Sequence, residues 1–231
     1  MKLSIIIPAY NEVKTVMQVI NAVKAVELPG EMDREIVVVN DGSTDGTAGV
    51  LGRFDGDRLV RVFHQVPNQG KAAAVRRGIK EATGELMLIQ DADLEYNPNQ
   101  YPLLLEPLLS GKADAVYGSR FKGNIEAMKP MNRFANVVSN LTFNLLFGTS
   151  ITDINTCFKL FKAEDIRSIV IESDHFSLET EITAKLMRKG VRIVEVPIQY
   201  KARSIDEGKK IDWPKAIAMY SAIIRFRFSK L

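Results

Sequence analysis

Asp91-Ala92-Asp93 stands just past an apolar run, Leu86-Met87-Leu88-Ile89-Gln90. Two carboxylates one residue apart at the end of a buried strand repel each other, and along an extended chain alternation points them the same way. A divalent cation relieves that repulsion. Mg²⁺ and Mn²⁺ take oxygen ligands, and Mg²⁺ is typically held by one or two carboxylates plus substrate phosphates. The pair therefore suggests a site for a metal-bound phosphate compound. In isolation a solvated Asp-rich turn explains it equally well, so the companion segments decide.

The first companion is Pro8-Ala9-Tyr10-Asn11-Glu12. Pro8 ends a strand because it has no donor for the ladder. Tyr10 offers an aromatic face for a base, and Glu12 an acceptor for base or ribose groups. The second is Asn40-Asp41-Gly42-Ser43-Thr44-Asp45. There Asp41 can accept from an amide or a ribose hydroxyl, Gly42 permits the tight turn, and Ser43 or Thr44 can cap the next helix. The third, Asn68-Gln69-Gly70-Lys71, opens a helix whose backbone N–H groups and Lys71 can face phosphate. Each is an ordinary strand-to-helix turn when taken alone. Neither Gly-x-x-x-x-Gly-Lys-Ser/Thr nor Gly-x-Gly-x-x-Gly occurs, which argues against P-loop and dinucleotide-dehydrogenase chemistry. The first loop has no basic residue, which argues against a nucleotidyltransferase.

The elements that position these loops alternate. Apolar, β-branched runs at 3–7, 36–39, 59–63, 86–90 and 113–117 read as strands covered on both faces. Segments 12–26, 44–54, 71–82 and 99–109 show helical spacing. This alternation predicts an α/β fold: a Rossmann-like, mostly parallel sheet flanked by helices, with right-handed crossovers. The ligand of such a sheet sits outside the carboxyl ends of the strands, where the loops 8–12, 40–45, 68–71, 91–95 and 118–120 fall. Further on, 128–147 reads as one or two apolar helices, 153–161 as a loop leading into a strand, 179–189 as a helix and 191–196 as a final strand. Residues 214–228 read as a basic amphipathic C-terminal helix.

The 231 residues, 46% hydrophobic and 26% charged, suffice for one large core or two small ones. A net charge of +3 gives no argument for nucleic acid. The single cysteine, Cys157, excludes an internal disulfide, and two histidines make a catalytic Cys–His pair a poor expectation. The N-terminal apolar run is too short for a signal peptide, and no stretch reaches the ~18 apolar residues of a membrane span. The reading is a soluble, cytoplasmic protein with peripheral contact to the inner face of a membrane.

Taken together, the loops resemble those of the GT-A-fold, family 2 glycosyltransferases, and among them the dolichyl-phosphate mannosyltransferase-like (polyprenyl-phosphate) group. The resemblance extends through Gly118-Ser119-Arg120-Phe121, the segment Asp153 to Lys159, and Arg203 to Lys209, so it covers nearly the whole chain. It implies a GT-A domain over 1–210, with a nucleotide-binding half at 1–120 and an acceptor half at 121–210, followed by the C-terminal helix at 211–231. Pro8, Tyr10, Glu12, Val39 and Asp41 would line the nucleoside pocket. Asp91, Ala92 and Asp93 would meet ribose, diphosphate and metal (Mg²⁺ or Mn²⁺). Asp93 would be the principal ligand, with Asp91 and Glu95 as co-ligands. Lys71, Arg120, Arg203 and Lys209 would hold phosphates, and Asp93, Arg120 and Asp91 would carry catalysis. The chain departs from the family pattern at Asn40, Glu95, Cys157 and in the residues between Arg203 and Lys209. The Gln-x-x-Arg-Trp signature of processive polysaccharide synthases is absent.

The implied reaction is inverting transfer of mannose or glucose from a nucleotide donor such as GDP-mannose or UDP-glucose. Metal and cations would stabilise the departing diphosphate, each such contact contributing about 3–4 kcal/mol at the transition state. A polyprenyl phosphate acceptor is already ionised, with a second pKa near ~6, and needs no base. A hydroxyl acceptor (polysaccharide, lipid or protein glycan) would need one, for which Asp153, Glu179 and Glu181 are candidates. The apolar segments 128–147 and 214–228 would suit a lipid surface, with core packing, a homodimer face or a membrane-protein partner as alternatives. A non-catalytic subunit of a glycosylation complex is a further alternative.

Overall fold

The apolar runs form strands because both of their faces are covered. The structure, a computed structural model, describes residues 1–173, 177–203 and 213–228. β1 (Lys2–Ala9), β2 (Asp33–Asp41), β3 (Val60–Gln65) and β4 (Leu86–Ile89) are parallel neighbours in the order β3-β2-β1-β4. Beyond β4 the sheet continues with β6 (Lys159–Lys162), β5 (Ala115–Glu126) and β7 (Ile193–Lys201). β6 alone in this sheet runs antiparallel to its neighbours.

Alternate residues of β1 feed the two sides: Leu3, Ile5 and Ile7 pack beneath α1 (Val16–Ala25) and α4 (Tyr101–Leu109), and Ile6 beneath α3 (Lys71–Glu81). Each fully buried Ile or Val contributes about 1.5–3 kcal/mol. Gly78 lets α3 sit flat on β1, since a Cβ there would lie 2.3 Å from Ile6 Cγ2.

Several boundaries differ from the sequence expectation for identifiable reasons. The helix expected from residue 12 starts at Val16, because residues 12–15 form a turn in which the Glu12 carbonyl accepts from Thr15 and Val16 N–H. The helix expected over 44–54 shrinks to α2 (Thr47–Leu51) and one 3₁₀ turn, Gly52–Phe54, with Gly46 at φ 92° before it. The segment 118–120, expected as a loop, lies inside β5. β7 runs alongside and extends that strand past a bulge between Ser119 and Asn124. Gly123 makes the approach possible, since a Cβ would meet the Ile198 carbonyl oxygen at 1.9 Å.

The second half of the chain adds α5 (Pro130–Phe147), α6 (Ala163–Arg167), α7 (Leu178–Arg188) and α8 (Trp213–Phe228). Ala222, Ile223 and Phe226 of α8 pack with Phe143 of α5, Ile151, Ile154 and Ala184 of α7. One side of the C-terminal helix is therefore core. Among the described residues, no helix is long and apolar enough to cross a membrane.

At the end of the sheet opposite the loops, Glu35 is buried and accepts from Ser4 Oγ at 2.6 Å and from Thr83 N at 2.5 Å. Burial alone would raise its pKa, but these hydrogen bonds and nearby Lys2 hold it at about 2. A folded pKa below the unfolded one means stability present above about pH 4.5 and lost as pH falls toward 2. Glu35→Gln is expected to remove about 2 kcal/mol at pH 7 and to flatten this acid limb in urea titrations at pH 7 and 3.

Candidate active site

Asp91 and Asp93 lie past the end of β4, but on a turn rather than an extended segment, with Leu94 at φ 63°. The alternation argument therefore does not hold, and a buried neighbour fixes the turn instead. Gln90, fully buried, donates Nε2 to the Asp91 and Tyr96 carbonyls and accepts from Tyr101 Oη. Asp93 Oδ1 accepts from Glu95 N at 3.1 Å, and Ala92 points into the core. Burial, then Asp91 and Glu95, push the Asp93 carboxyl up to about 7 although Arg203 pulls it down.

Each carboxylate has its own cation. Lys71, at the start of α3, is 2.7 Å from Asp91 Oδ1, 3.2 Å from Glu179 Oε1 and 2.9 Å from Cys157 Sγ. Burial and Asp91 push the Cys157 thiol well up, so it is a packed donor rather than a thiolate. Arg203, after β7, is 2.8 Å from Asp93 Oδ2 and 3.0 Å from Glu12 Oε1, and its own N–H donates to Glu95 Oε1 at 2.8 Å. Glu95 Oε2 accepts from Tyr200 Oη at 2.6 Å. Glu95 thus anchors β7 to the acidic turn.

The first three loops are stitched together. Asn11 (φ 56°) accepts Thr44 N on Oδ1 and donates its own N–H to Ser43 Oγ; Val13 N donates to Asp45 Oδ2. Asp41, expected to face a nucleoside, is 2% exposed and accepts from Gln69 N, Gly70 N and Asn68 Nδ2 at 2.7–2.9 Å. It clamps the loop before α3. Gly42 (φ +68°) allows this closeness, since a Cβ would lie 2.6 Å from Asn68 N. Val39 is buried among Ala72, Ala74 and Val75, so its backbone is what remains for a ligand. Tyr10 is 49% exposed, and Pro8 and Glu12 are half-buried.

Arg120 and Asp153 face each other. Arg120, expected to hold phosphate, is engaged in a fork: Nε to Asp153 Oδ2 at 2.7 Å and Nη2 to Oδ1 at 2.8 Å, with its backbone N–H on Oδ2. Both residues are buried, and the guanidinium also stacks 5.1 Å from the Tyr200 ring centroid. Asp153, a candidate base, has no oxygen left over from this pair. Glu181 is likewise enclosed, accepting from Glu172 N, Ser173 N and Lys185. Of the three candidate bases Glu179 alone reaches the acidic turn, through Lys71.

Sequence reasoning missed Lys159, which is fully buried. Its Nζ donates to the Ile154 and Thr156 carbonyls at 2.9 and 2.8 Å and lies 3.9 Å from the Tyr117 ring centroid. Burial pushes its pKa down to about 8. A lysine inside an otherwise apolar strand run was the available signal. Lys209, expected to hold phosphate, lies outside the described residues.

The donor set suits a hard divalent ion. Asp93 carries charge that its surroundings oppose, as its pKa near 7 records, and Asp91 is its neighbour. Among the described residues no group of three His, Cys, Asp or Glu side chains is arranged to enclose an ion. Mg²⁺ or Mn²⁺ would thus rest on Asp93 and Asp91, with ligand oxygens completing the shell.

Comparison with known proteins speaks to the family and the fold. The family model for glycosyl transferase family 2 matches residues 4–170. Similar proteins include the undecaprenyl-phosphate mannosyltransferase of Micrococcus luteus, 29% identical over 218 residues, covering 90% of this chain and 87% of the relative. Glycosyltransferase AglD of Haloferax volcanii is 28% identical over 97% of this chain, which spans 36% of that protein. Among solved structures, glucosyl-3-phosphoglycerate synthase of Mycobacterium tuberculosis, crystallised with Mn²⁺ and UDP, superposes with a TM-score of 0.75 at 20% identity. The match covers 97% of this chain and 79% of that one. That likeness establishes the GT-A fold.

Proposed function

The chain belongs to glycosyl transferase family 2, and from that premise we propose that it transfers a hexose from a nucleoside-diphosphate donor to a polyprenyl phosphate, with inversion and with a divalent cation at Asp93 and Asp91. The observation that carries the reading is the acidic turn at the strand ends, where burial, then Asp91 and Glu95, push the Asp93 carboxyl up to about 7 in spite of Arg203. Asp93 and Asp91 would hold the cation, which would supply positive charge to the diphosphate as the sugar–phosphate bond of the donor breaks. Tyr10 stacks on the base, Glu12 and the Val39 backbone meet the nucleoside, and Lys71, Arg203 and Lys209 serve the phosphates. Arg120 acts from behind, by orienting Asp153 and Tyr200.

Two features support a lipid phosphate as acceptor. First, Asp153 and Glu181 are locked in ion pairs, and an ionised phosphate needs no base. A hydroxyl acceptor would rely on Glu179. Second, Met131, Phe134, Val137, Leu141 and Leu145 of α5, with Ile224 and Phe228 of α8, are exposed. Neither helix contains an Asp or Glu, and Arg133, Arg225 and Arg227 add positive charge. An apolar, cationic face of this kind suits peripheral contact with an anionic lipid surface. The opposite side of α5 bears Asn136 and Asn140, which bond to Asn155, Ile154 and the Thr152 carbonyl beside Arg120.

The test is labelled GDP-mannose and UDP-glucose offered with Mn²⁺ and polyprenyl phosphate. The expected result is a lipid-extractable product that mild acid cleaves. A product stable to mild acid, or label only on a hydroxyl acceptor, overturns the lipid-phosphate reading.

A further inference from the structure

Arg203 is set among acids rather than open to a ligand. Its Nη2 is 2.8 Å from Asp93 Oδ2, its Nη1 3.0 and 3.2 Å from the two Glu12 oxygens, and its side chain is 28% exposed. Its buried Nε has no hydrogen-bond partner and lies 3.9 Å from Glu95 Oε1. Five carboxylates (Glu12, Asp91, Asp93, Glu95 and Glu179) gather here, and Lys71 and Arg203 are among the cations in contact with them.

We propose that Arg203 is the resident counter-cation of Asp93, competing with the divalent ion until a nucleoside diphosphate draws the guanidinium away. Two cations drawn to one carboxylate repel each other, so a metal arriving alone must displace or crowd Arg203. A diphosphate removes the conflict. Its oxygens match the planar guanidinium fork and give the unpartnered Nε an acceptor. Metal and nucleotide then bind with positive coupling, and Arg203 is a positioning residue that enforces their joint arrival. This inference rests on the proposed use of Asp93 as metal ligand.

The experiment is Mn²⁺ titration followed by electron paramagnetic resonance, with and without UDP or GDP, on the wild type, Arg203→Gln and Arg203→Lys, each checked for a native melting transition. Arg203→Gln is expected to bind Mn²⁺ alone about tenfold tighter, a coupling of ordinary size. The enhancement of Mn²⁺ affinity by nucleotide is expected to fall by the same factor, with Arg203→Lys between the two. A residue that only grips phosphate would leave the affinity for Mn²⁺ alone unchanged, and that result, or a weaker affinity, overturns the proposal. Absence of Mn²⁺ binding in all three proteins overturns the metal reading itself, and this inference with it.

Discussion

Asp93→Asn is expected to lower kcat/KM by roughly a hundred- to a thousandfold while leaving the protein as stable as the wild type, or more so, at pH 8. The two outcomes share one cause. Asp93 is ionised at a place where burial, Asp91 and Glu95 all oppose the charge, and its pKa is raised from 3.8 to about 7. An acid whose folded pKa exceeds its unfolded one holds its proton more tightly when folded. Its stabilising effect is therefore complete below about pH 4, declines as pH rises and is gone above about 7. The span corresponds to about 4 kcal/mol. Asparagine keeps the shape and does not titrate, so the variant's melting temperature should stay flat between pH 5 and 8 where the wild type's falls. Bound Mn²⁺ should raise the wild-type melting temperature most at pH 8 and should leave the variant unmoved. Transfer rates come from labelled donor, and stability from calorimetry. Transfer within tenfold of wild type, or a clear loss of stability at pH 8, would show that Asp93 is neither the metal ligand nor a strained charge.

Asp153→Ala is expected to destabilise the protein by about 3–5 kcal/mol, because it strands the buried Arg120 guanidinium without its partner. For a chain of this size that corresponds to roughly 10 °C in melting temperature. The double substitution Arg120→Leu/Asp153→Leu should recover most of the loss, since an apolar pair of similar volume removes both charges together. The cycle separates two roles for Arg120. If Asp153→Ala costs less than about 1 kcal/mol, the fork is dispensable and Arg120 is free to serve phosphate after all. If the cost is large and the double variant recovers it, the pair is a structural brace beneath the acidic turn.

Much of the architecture follows from local pattern. Continuous β-branched runs alternating with helical spacing determined a mostly parallel sheet, and the turn residues after the first four runs determined that polar loops would gather near one end; the fifth expected loop, 118–120, is strand instead. The Asp91-Ala92-Asp93 pair, the Tyr10 and Glu12 loop and Lys71 at a helix start were legible because strand ends and turns leave a mark within a few residues. What local pattern left open was the partner of each charge. Arg120 meets an aspartate 33 residues away and Arg203 one 110 residues away. Asp41 turned inward to hold residues 68–70, and Glu95 took up Tyr200. The same limit applied to α5: its sequence showed an apolar helix, but only packing against α8 and the 151–155 loop decided which side was covered. Covalent neighbours and periodicity are written in the chain. Which cation meets which carboxylate depends on distances set by the whole packed core, and that only the tertiary structure decided.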